Sequence, residues 1–234
     1  MDKYILFDAD VLCYRCAWSE QDSTEEEAKL KLDELIGQII GEVDPWGTKR
    51  NRRFFLTGKG NFRYDIAKTA VYKGNRKDTE KPKHFGALKD YLCVKYDALI
   101  TEGHEADDAI GIMANYFGYS NCIIVSIDKD FEQIPTTIFN PSRWEFTEVD
   151  EWTATKNFYK QILTGDRVDN IIGIYGIGPA KAEKILAGCD NEKTLYNACV
   201  LAYMVGCESV EEAEKRVLEN GRLLWIQRYP GEMW

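Results

Sequence analysis

The run Tyr4-Ile-Leu-Phe-Asp8 decides the fold class, because it is a short strand-forming segment that stops at a carboxylate. Three more runs of this kind, 53–56, 98–100 and 122–127, also stop at a polar or acidic residue, and 137–140 adds a last one. Segments with helical spacing separate these runs. Strands that alternate with helices predict an α/β fold with a parallel sheet flanked by helices, in which ligands bind beyond the carboxyl ends of the strands.

Two helices are predicted between the strands. Apolar residues recur every three or four positions over 28–40, after a Ser23/Thr24 cap, and a second helix is predicted from Glu105 to Tyr116. Between the second and third strands, residues 58–90 form a long basic insertion.

After about residue 153 the strand signal fades. Four helices are predicted there, over 154–164, 179–187, 192–205 and 208–219, with Gly188 and Gly221 as helix stops. We therefore expect two parts, an α/β domain over 1–150 and a helical subdomain over 151–234.

The charge is unevenly distributed along the chain. The 234 residues carry a formal net charge of −9, which on its own argues against nucleic acid, because phosphate binding usually requires a basic surplus. Residues 49–89, however, hold 13 Lys/Arg and three Asp/Glu, a local charge of +10, so the remainder sums to −19. The chain is acidic with a basic island.

Several protein classes are excluded or disfavoured by simple features. No run approaches the roughly 18 apolar residues of a membrane span, so no membrane partner is expected. Seven scattered cysteines are typical of free thiols in a reducing cytoplasm, and we predict a cytoplasmic monomer.

The carboxylates form four tight groups, three of them at the predicted strand ends. They are Asp8 with Asp10, Glu105 with Asp107 and Asp108, Asp128 with Asp130, and Asp166 with Asp169. Helix capping could explain any single group, but like charges gathered at one sheet edge raise each other's pKa and favour a bound cation. With no His or Cys in the groups, oxygen ligands favour Mg²⁺ or Mn²⁺, and two such ions could support phosphoryl displacement.

Two further segments are suited to phosphate. The glycine-rich segment 173–181 predicts a tight turn followed by a helix that begins at Pro179. The free N–H groups at the start of that helix could hold a phosphate, with help from Lys181 or Lys184. In the basic insertion, residues 72–77 combine a tyrosine with lysine and arginine, a composition typical of a single-strand groove. A plain turn and a solvated charged face are the simpler readings of these segments.

Taken in order, the motifs resemble those of the 5′ nuclease family, which includes flap endonucleases, phage 5′→3′ exonucleases and the N-terminal nuclease domain of DNA polymerase I. The matching pieces are Leu6-Phe-Asp8 with Tyr14-Arg15, Tyr72-Lys73-x-x-Arg76, Glu105-Ala-Asp107-Asp108, Asp128-Lys-Asp130-Phe-Glu-Gln133, and Gly165-Asp166-x-x-Asp169-Asn170-Ile-x-Gly173-x-x-Gly176-Ile-Gly178. The resemblance implies a PIN-like parallel sheet, a helical arch formed by the insertion 58–90, and a helix–three-turn–helix in the C-terminal subdomain.

The resemblance also implies residue roles in a two-metal 5′→3′ exonuclease or flap endonuclease. The metal ligands would be Asp8, Glu105, Asp107, Asp108, Asp128, Asp130, Asp166 and Asp169. Lys73 and Arg76 would face the scissile phosphate. The remaining DNA-binding residues would be Arg15, Tyr72, Lys77, Gly173, Gly176, Ile177, Gly178, Lys181 and Lys184.

The implied partners are DNA with 5′ flaps, nicks or blunt ends, and RNA primers. The implied ions are two Mg²⁺ or Mn²⁺ and a K⁺ at the helix–three-turn–helix. The setting would be phage- or bacteria-like replication or repair.

One departure from the family concerns Thr57, because relatives place an Asp at the end of the second strand. A hydroxyl does not replace a charged ligand, so either one metal binds more weakly or Asp10 compensates. Two alternatives stay open: a PIN-type ribonuclease, disfavoured by the Gly176-Ile-Gly178 turn and the basic insertion, and a catalytically weak DNA junction-binding protein.

Overall fold

A six-stranded sheet forms the centre of the computed structural model, which describes residues 3–47, 50–76 and 80–234. Its strands are β1 Tyr4–Asp8, β2 Asn51–Thr57, β3 Leu99–Thr101, β4 Cys122–Val125, β5 Thr137–Asn140 and β6 Glu145–Glu148. The spatial order is β3-β2-β1-β4-β5-β6, with every neighbouring pair parallel except β5 and β6. This mixed, mainly parallel sheet flanked by helices confirms the predicted α/β class.

The α-helices of the described residues follow in chain order. They are α1 Ala9–Ser19, α2 Glu25–Val43, α3 Arg63–Ile66, α4 Phe85–Tyr96, α5 Ala106–Phe117, α6 Glu151–Thr164, α7 Pro179–Leu186, α8 Glu192–Tyr203 and α9 Val210–Leu224. Between α6 and α7 the chain forms a small hairpin of β7 Gly165–Asp166 and β8 Ile171–Ile172. No helix in these described ranges is both long enough and apolar enough to cross a membrane.

The sheet is buried on both faces because its strands place apolar side chains alternately on each side. In β1, Ile5 and Phe7 pack with α1, α2 and α4 on one face, whereas Leu6 packs with α5 on the other. The first strand lies in the interior of the sheet, between β2 and β4.

The helices after residue 150 share a second core. Phe158 and Ile162 of α6 pack with Leu195 of α8 and Val217 of α9. Tyr72, from the insertion, is buried in the same core, so the insertion is anchored on the helical part of the molecule.

The structure corrects the predicted extent of the helical arch. Residues 85–90, at the end of segment 58–90, belong to α4, whose Leu88 and Leu92 pack against the sheet as an ordinary crossover helix. In the described part of 58–84 only the four-residue α3 and one 3₁₀ turn, Gly74–Arg76, are helical.

Other boundaries differ from the sequence prediction for identifiable reasons. Strand β4 ends at Val125, not at 127, and helices α1 and α4 and strand β6 were not predicted. Helix α9 continues through Gly221 to Leu224, so this glycine is not a helix stop, and a side chain there would lie about 2.0 Å from the Trp234 ring. Because Gly221 has no side chain, the Trp234 ring can pack directly against α9.

Candidate active site

Eight carboxylates line one cleft of about 380 Å³ at the carboxyl edge of the sheet. They are Asp8, Asp10, Glu105, Asp107, Asp128, Asp130, Asp166 and Asp169. They meet because β1 and β4 are adjacent parallel strands and α5 begins beside them. Three of the predicted groups thus share one edge, and the loop between β7 and β8 brings the fourth to it.

Seven of the eight predicted metal ligands lie in this cleft, and the exception is Asp108. The Asp108 side chain is completely buried, and both of its oxygens accept hydrogen bonds from Arg63, at 2.7 and 2.9 Å. Neighbouring residues on a helix point about 100° apart, so Asp107 faces the cleft while Asp108 faces the interior. We therefore leave Asp108 out of the proposed ligand set, and Asp10 takes the eighth place.

Burial and mutual repulsion raise the pKa of several of these carboxylates. Burial raises the pKa of Asp8 to about 7, with Asp10 and Asp128 adding to the rise and a hydrogen bond from Ser126 opposing it. Burial also raises the pKa of Asp130 to about 8, and the charges of Asp128 and Asp166 add to it.

The two remaining shifted carboxylates show the same pattern. The pKa of Asp107 is raised well above its ordinary value and that of Asp128 is also raised, in both cases chiefly through burial. A cation in the cleft would relieve this repulsion.

Lys73 and Arg76, the predicted phosphate-facing residues, both lie at the cleft and contact its acids. Arg76 donates from Nη2 to Asp169 Oδ1 at 2.5 Å, and the Lys73 ammonium donates to a Glu105 carboxylate oxygen. The Lys73 backbone is held in the left-handed region (φ 51°), and its amide donates to the Asp169 carbonyl at 2.8 Å. The basic insertion is thus attached to the acidic cleft through both backbone and side chains.

Tyr72 is buried beneath the cleft and hydrogen-bonds to two of its carboxylates. Its side chain is only 2% exposed, and its hydroxyl lies 2.8 Å from both Glu105 Oε2 and Asp169 Oδ2. This geometry does not present the ring to DNA, contrary to the predicted contact, and instead orients two cleft carboxylates.

The end of β2 is built around Thr57. Its amide donates to Asp10 Oδ2 at 2.6 Å, and its hydroxyl accepts from the Ala106 amide at 3.1 Å. Lys89 donates to the Thr57 carbonyl at 2.6 Å and lies 3.2 Å from Asp10 Oδ1. The Asp10 carboxylate therefore lies beside the end of β2, the position that has no acid of its own.

The donor set fits a hard divalent cation by its chemistry. The eight acids of the cleft offer carboxylate oxygens, the ligands that Mg²⁺ and Mn²⁺ prefer. Among the residues that the structure describes, no three His, Cys, Asp or Glu side chains are grouped so that they could already hold an ion.

The predicted DNA-binding turn lies directly after the acidic loop. Gly165 and Gly173 approach so closely that a side chain on Gly173 would lie 2.2 Å from the Thr164 carbonyl carbon. Gly176 has a positive φ of 75° and accepts a hydrogen bond from Lys181 at 2.8 Å. This close packing positions the turn at the start of α7 next to the loop that carries Asp169.

The remaining predicted contacts in this turn are partly or fully open to solvent. Gly178 caps α7, Pro179 occupies its first turn, and the side chains of Lys181 and Lys184 are exposed. Ile177 is half-buried against the helical core. Two cations, Lys181 and Lys184, therefore lie on the solvent side of α7 near this turn.

One predicted DNA contact, Arg15, lies away from the cleft, and another is not among the described residues. Arg15 is exposed on α1 and donates to the Pro141 carbonyl at 2.7 Å, and it does not line the cleft, whereas its neighbour Tyr14 does. Lys77 lies outside the described residues.

Sequence reasoning missed several residues that shape the site. Lys89 and Lys129 line the cleft, Gln161 donates to Asp130 Oδ1 at 2.6 Å, and Arg63 binds Asp108. Gln161 and Lys89 lie on helices with no motif around them, so no local signal marked them. Arg63 lies in the basic island, where no local motif distinguishes it from the other cations.

Comparison with known proteins gives relatives named as exonucleases and as DNA polymerase I. The 5′-3′ exonuclease of Mycoplasmopsis pulmonis is 24% identical over 241 residues, which cover 94% of this chain and 76% of the relative. DNA polymerase I of Bacillus caldotenax is 27% identical over 208 residues, which cover 79% of this chain but 23% of the polymerase. The chain thus matches under a quarter of that polymerase's length, and no family model matches it.

Solved structures give the same picture of the fold. Bacteriophage T5 5′-exonuclease with zinc ions bound has a TM-score of 0.70 at 18% identity, covering 95% of this chain and 89% of that one. A T5 flap endonuclease in a pseudo-enzyme–product complex with DNA and metal ions has a TM-score of 0.61 at 18% identity, covering 94% and 99%. The resemblance to 5′ nucleases drawn from the motifs is confirmed by the names of these homologues and neighbours.

Proposed function

We propose that the chain is a metal-dependent 5′ nuclease. It would hydrolyse DNA phosphodiesters near 5′ ends or flaps, leave a 5′-phosphate, and act in replication or repair. The observation that carries the proposal is the cleft in which eight carboxylates face Lys73 and Arg76 of the basic insertion. Metal-bound and DNA-bound nucleases of the same fold support it.

The cleft carboxylates would hold two Mg²⁺ or Mn²⁺ ions. The proposed ligands, some acting through water, are Asp8, Asp10, Glu105, Asp107, Asp128, Asp130, Asp166 and Asp169. Bound divalent ions supply an activated water and stabilise both oxygens of an in-line displacement at phosphorus.

Lys73 and Arg76 would stabilise the charge that develops on the phosphate. Arg76 is 46% exposed and Lys73 lies at the cleft wall, so both donors can reach a phosphate at the opening. Exchange of their present carboxylate partners for phosphate oxygens would keep the charges matched, and such donors contribute most where water is excluded.

The turn before α7 would grip the DNA backbone without reading its sequence. The N–H groups of Gly178 and Ala180, at the start of α7, and the exposed Lys181 and Lys184 would suit phosphate oxygens, and a K⁺ ion at the turn is part of this proposal. Because this grip is electrostatic, binding should weaken steeply with salt.

The test uses four end-labelled substrates of one sequence: a 5′-flap duplex, a blunt duplex, a single DNA strand and a duplex with an RNA 5′ segment. Each is incubated with Mg²⁺, Mn²⁺ or EDTA, and product lengths and 5′ ends are mapped. We expect metal-dependent cleavage near the 5′ end, most rapidly on the flap or blunt duplex.

The other outcomes separate the alternatives. Tight binding in EDTA with no cleavage at any Mg²⁺ or Mn²⁺ concentration would indicate a junction-binding protein. Preferential cleavage of RNA without regard to 5′ ends would indicate a PIN-type ribonuclease.

A further inference from the structure

A buried arginine–aspartate pair lies directly behind the acidic cleft. The Arg63 and Asp108 residues are 3% and 0% exposed, and the guanidinium donates to both carboxylate oxygens, from Nη1 at 2.7 Å and from Nη2 at 2.9 Å. Two parallel N–H···O bonds of this kind fix the orientation of both groups. Asp108 belongs to the predicted metal set, yet its charge pair with Arg63 is buried away from water.

The same guanidinium fixes the C-terminal segment. Arg63 Nε donates to the Leu223 carbonyl at 2.9 Å, and Nη2 donates to the Trp225 carbonyl at 2.7 Å. The Gln227 amide in turn donates to Asp108 Oδ1 at 3.1 Å. One charged pair thus joins three segments that are distant in sequence: the insertion, α5 and residues 223–227.

The pair acts on the cleft through the first turn of α5. Asp108 Oδ2 accepts from the Glu105 amide at 3.2 Å, and Arg63 Nη1 lies 3.8 Å from Glu105 Oε2. Asp107, which faces the cleft, is held on the same turn between these two residues. A rotation of this turn would move Glu105 and Asp107 together.

We propose that Arg63 is a positioning residue for the cation site: through Asp108 it holds Glu105 and Asp107 in the arrangement that binds the divalent ions. This inference rests on the proposed function. Although Arg63 lies in the basic island, the inference gives it a structural role in the interior and not a role in DNA binding. Lysine cannot replace it fully, because a single ammonium cannot make both carboxylate bonds and both carbonyl bonds in this planar geometry.

The test measures Mn²⁺ binding to the intact chain by titration calorimetry without DNA, and the Mn²⁺ concentration that half-saturates cleavage of a 5′-flap duplex. The variants are Arg63→Lys, Arg63→Met and the double variant Arg63→Met/Asp108→Leu. The double variant replaces the buried pair by apolar groups, which is often neutral for stability, and so separates positioning from folding.

Arg216→Met is the matched control. Arg216 also joins the insertion to the C-terminal part, since it donates to the Thr69 hydroxyl and, at 3.0 Å, to the Ile172 carbonyl, but it contacts no residue of α5. Removing it should lower the melting temperature and leave Mn²⁺ affinity unchanged.

We expect Arg63→Met and the double variant to weaken Mn²⁺ binding by about 10- to 100-fold, the usual effect of removing a group that orients metal ligands. Arg63→Lys should fall between them and the unaltered chain. If Arg63→Met does not fold, Arg63→Lys and the double variant still give the result.

The proposal is overturned if the folded Arg63 variants bind Mn²⁺ as tightly as Arg216→Met does, whatever their melting temperatures. Absence of cleavage by the unaltered chain would overturn the proposed function instead. In that case the calorimetric comparison would still decide whether Arg63 controls cation binding.

Discussion

The acidic cleft and the buried pair behind it place neighbouring carboxylates of one helix turn in opposite situations. Asp107 lies among other acids, and its pKa is raised well above the ordinary value, chiefly by burial and by the charges of Asp8 and Asp128. Asp108, the next residue, is completely buried but matched by the Arg63 guanidinium. Asp107 is half-buried and Asp108 is fully buried, yet only Asp108 has an internal counter-charge.

This difference indicates how to separate a binding acid from a structural acid. A buried carboxylate with a full set of protein donors contributes to the fold, and it is costly to disturb because its partner would be left unpaired. A buried carboxylate that lacks such donors keeps unsatisfied charge, which a ligand can use. The predictions below test this division from its strongest consequence to its weakest.

The largest effect is expected on the cleft side, for Asp128→Asn. This isosteric change removes one charge and one proposed cation ligand, so cleavage should fall a thousandfold or more, equivalent to about 4 kcal/mol of transition-state stabilisation. DNA binding in Ca²⁺ should be largely kept. In EDTA the variant should be at least as stable as the unaltered chain, because a repelling charge is gone.

The control for this change is Asp150→Asn, at the exposed N-cap of α6. Asparagine caps helices as well as aspartate does, so neither cleavage nor stability should change appreciably. Turnover by Asp128→Asn at the unaltered rate would show that the cleft carboxylates are not the cation ligands.

On the structural side, Asp108→Ala should cost about 3 kcal/mol of the free energy of unfolding, measured by urea denaturation in EDTA. The change leaves the Arg63 guanidinium buried without its partner, a situation that is strongly destabilising. For comparison, Asp33→Ala removes a less buried carboxylate paired with Lys95 and should cost about 1 kcal/mol. Equal losses in the two variants would contradict the special role given to the buried pair.

Lys73→Ala sharpens the boundary between the two regions, since Lys73 contacts Glu105 in the cleft. Single-turnover cleavage should slow about 100-fold, the effect typical of losing one donor to a developing charge, while DNA affinity changes only a few-fold. Lys184→Ala, on the exposed side of α7, should show the reverse pattern. If Lys73→Ala weakens binding as much as it slows cleavage, Lys73 is a grip residue.

The smallest expected effect is a pH dependence of stability in EDTA. The pKa values of Asp8, about 7, and Asp130, about 8, are above the ordinary 3.8, so the folded chain keeps protons that the unfolded chain loses. Stability should therefore fall as pH rises from about 4 to about 8 and then level off.

Thermal melting between pH 5 and pH 8.5 measures this fall, which should amount to at least about 3 °C, the shift that 1 kcal/mol gives in a chain of this size. The Asp130→Asn variant should show a shallower fall, and added Mg²⁺ should reduce it further. A melting temperature that rises over this range in EDTA would contradict the electrostatic description of the cleft.

Much of this arrangement could be predicted from the sequence. Runs such as Tyr4–Asp8 give the strands directly, because alternation of buried side chains leaves a clear pattern, and parallel topology then brings Asp8 and Asp128 together. Five of the predicted ligands line the cleft for this reason, and Asp166 and Asp169 reach it on the β7–β8 hairpin.

What the sequence could not show is which way a side chain points when two acids are adjacent. Asp107 and Asp108 are the same residue type, and the partner that makes Asp108 a structural acid, Arg63, is 45 residues away in the sequence. The same holds for Tyr72, whose aromatic ring and basic neighbours are typical of a nucleic-acid contact but which tertiary packing buries. Long-range partners of this kind have no local pattern.

The end of β2 has a consequence for engineering the site. Thr57, at the end of β2, caps the N-terminus of α5, since its hydroxyl accepts a hydrogen bond from the first amide of that helix. The Thr57 amide in turn donates to Asp10. An aspartate at this position could accept the same hydrogen bond and would be favoured at a helix N-terminus. The hydrogen-bond frame for a further carboxylate already exists, so the cation affinity of the cleft could be adjusted at this single position without rebuilding the sheet.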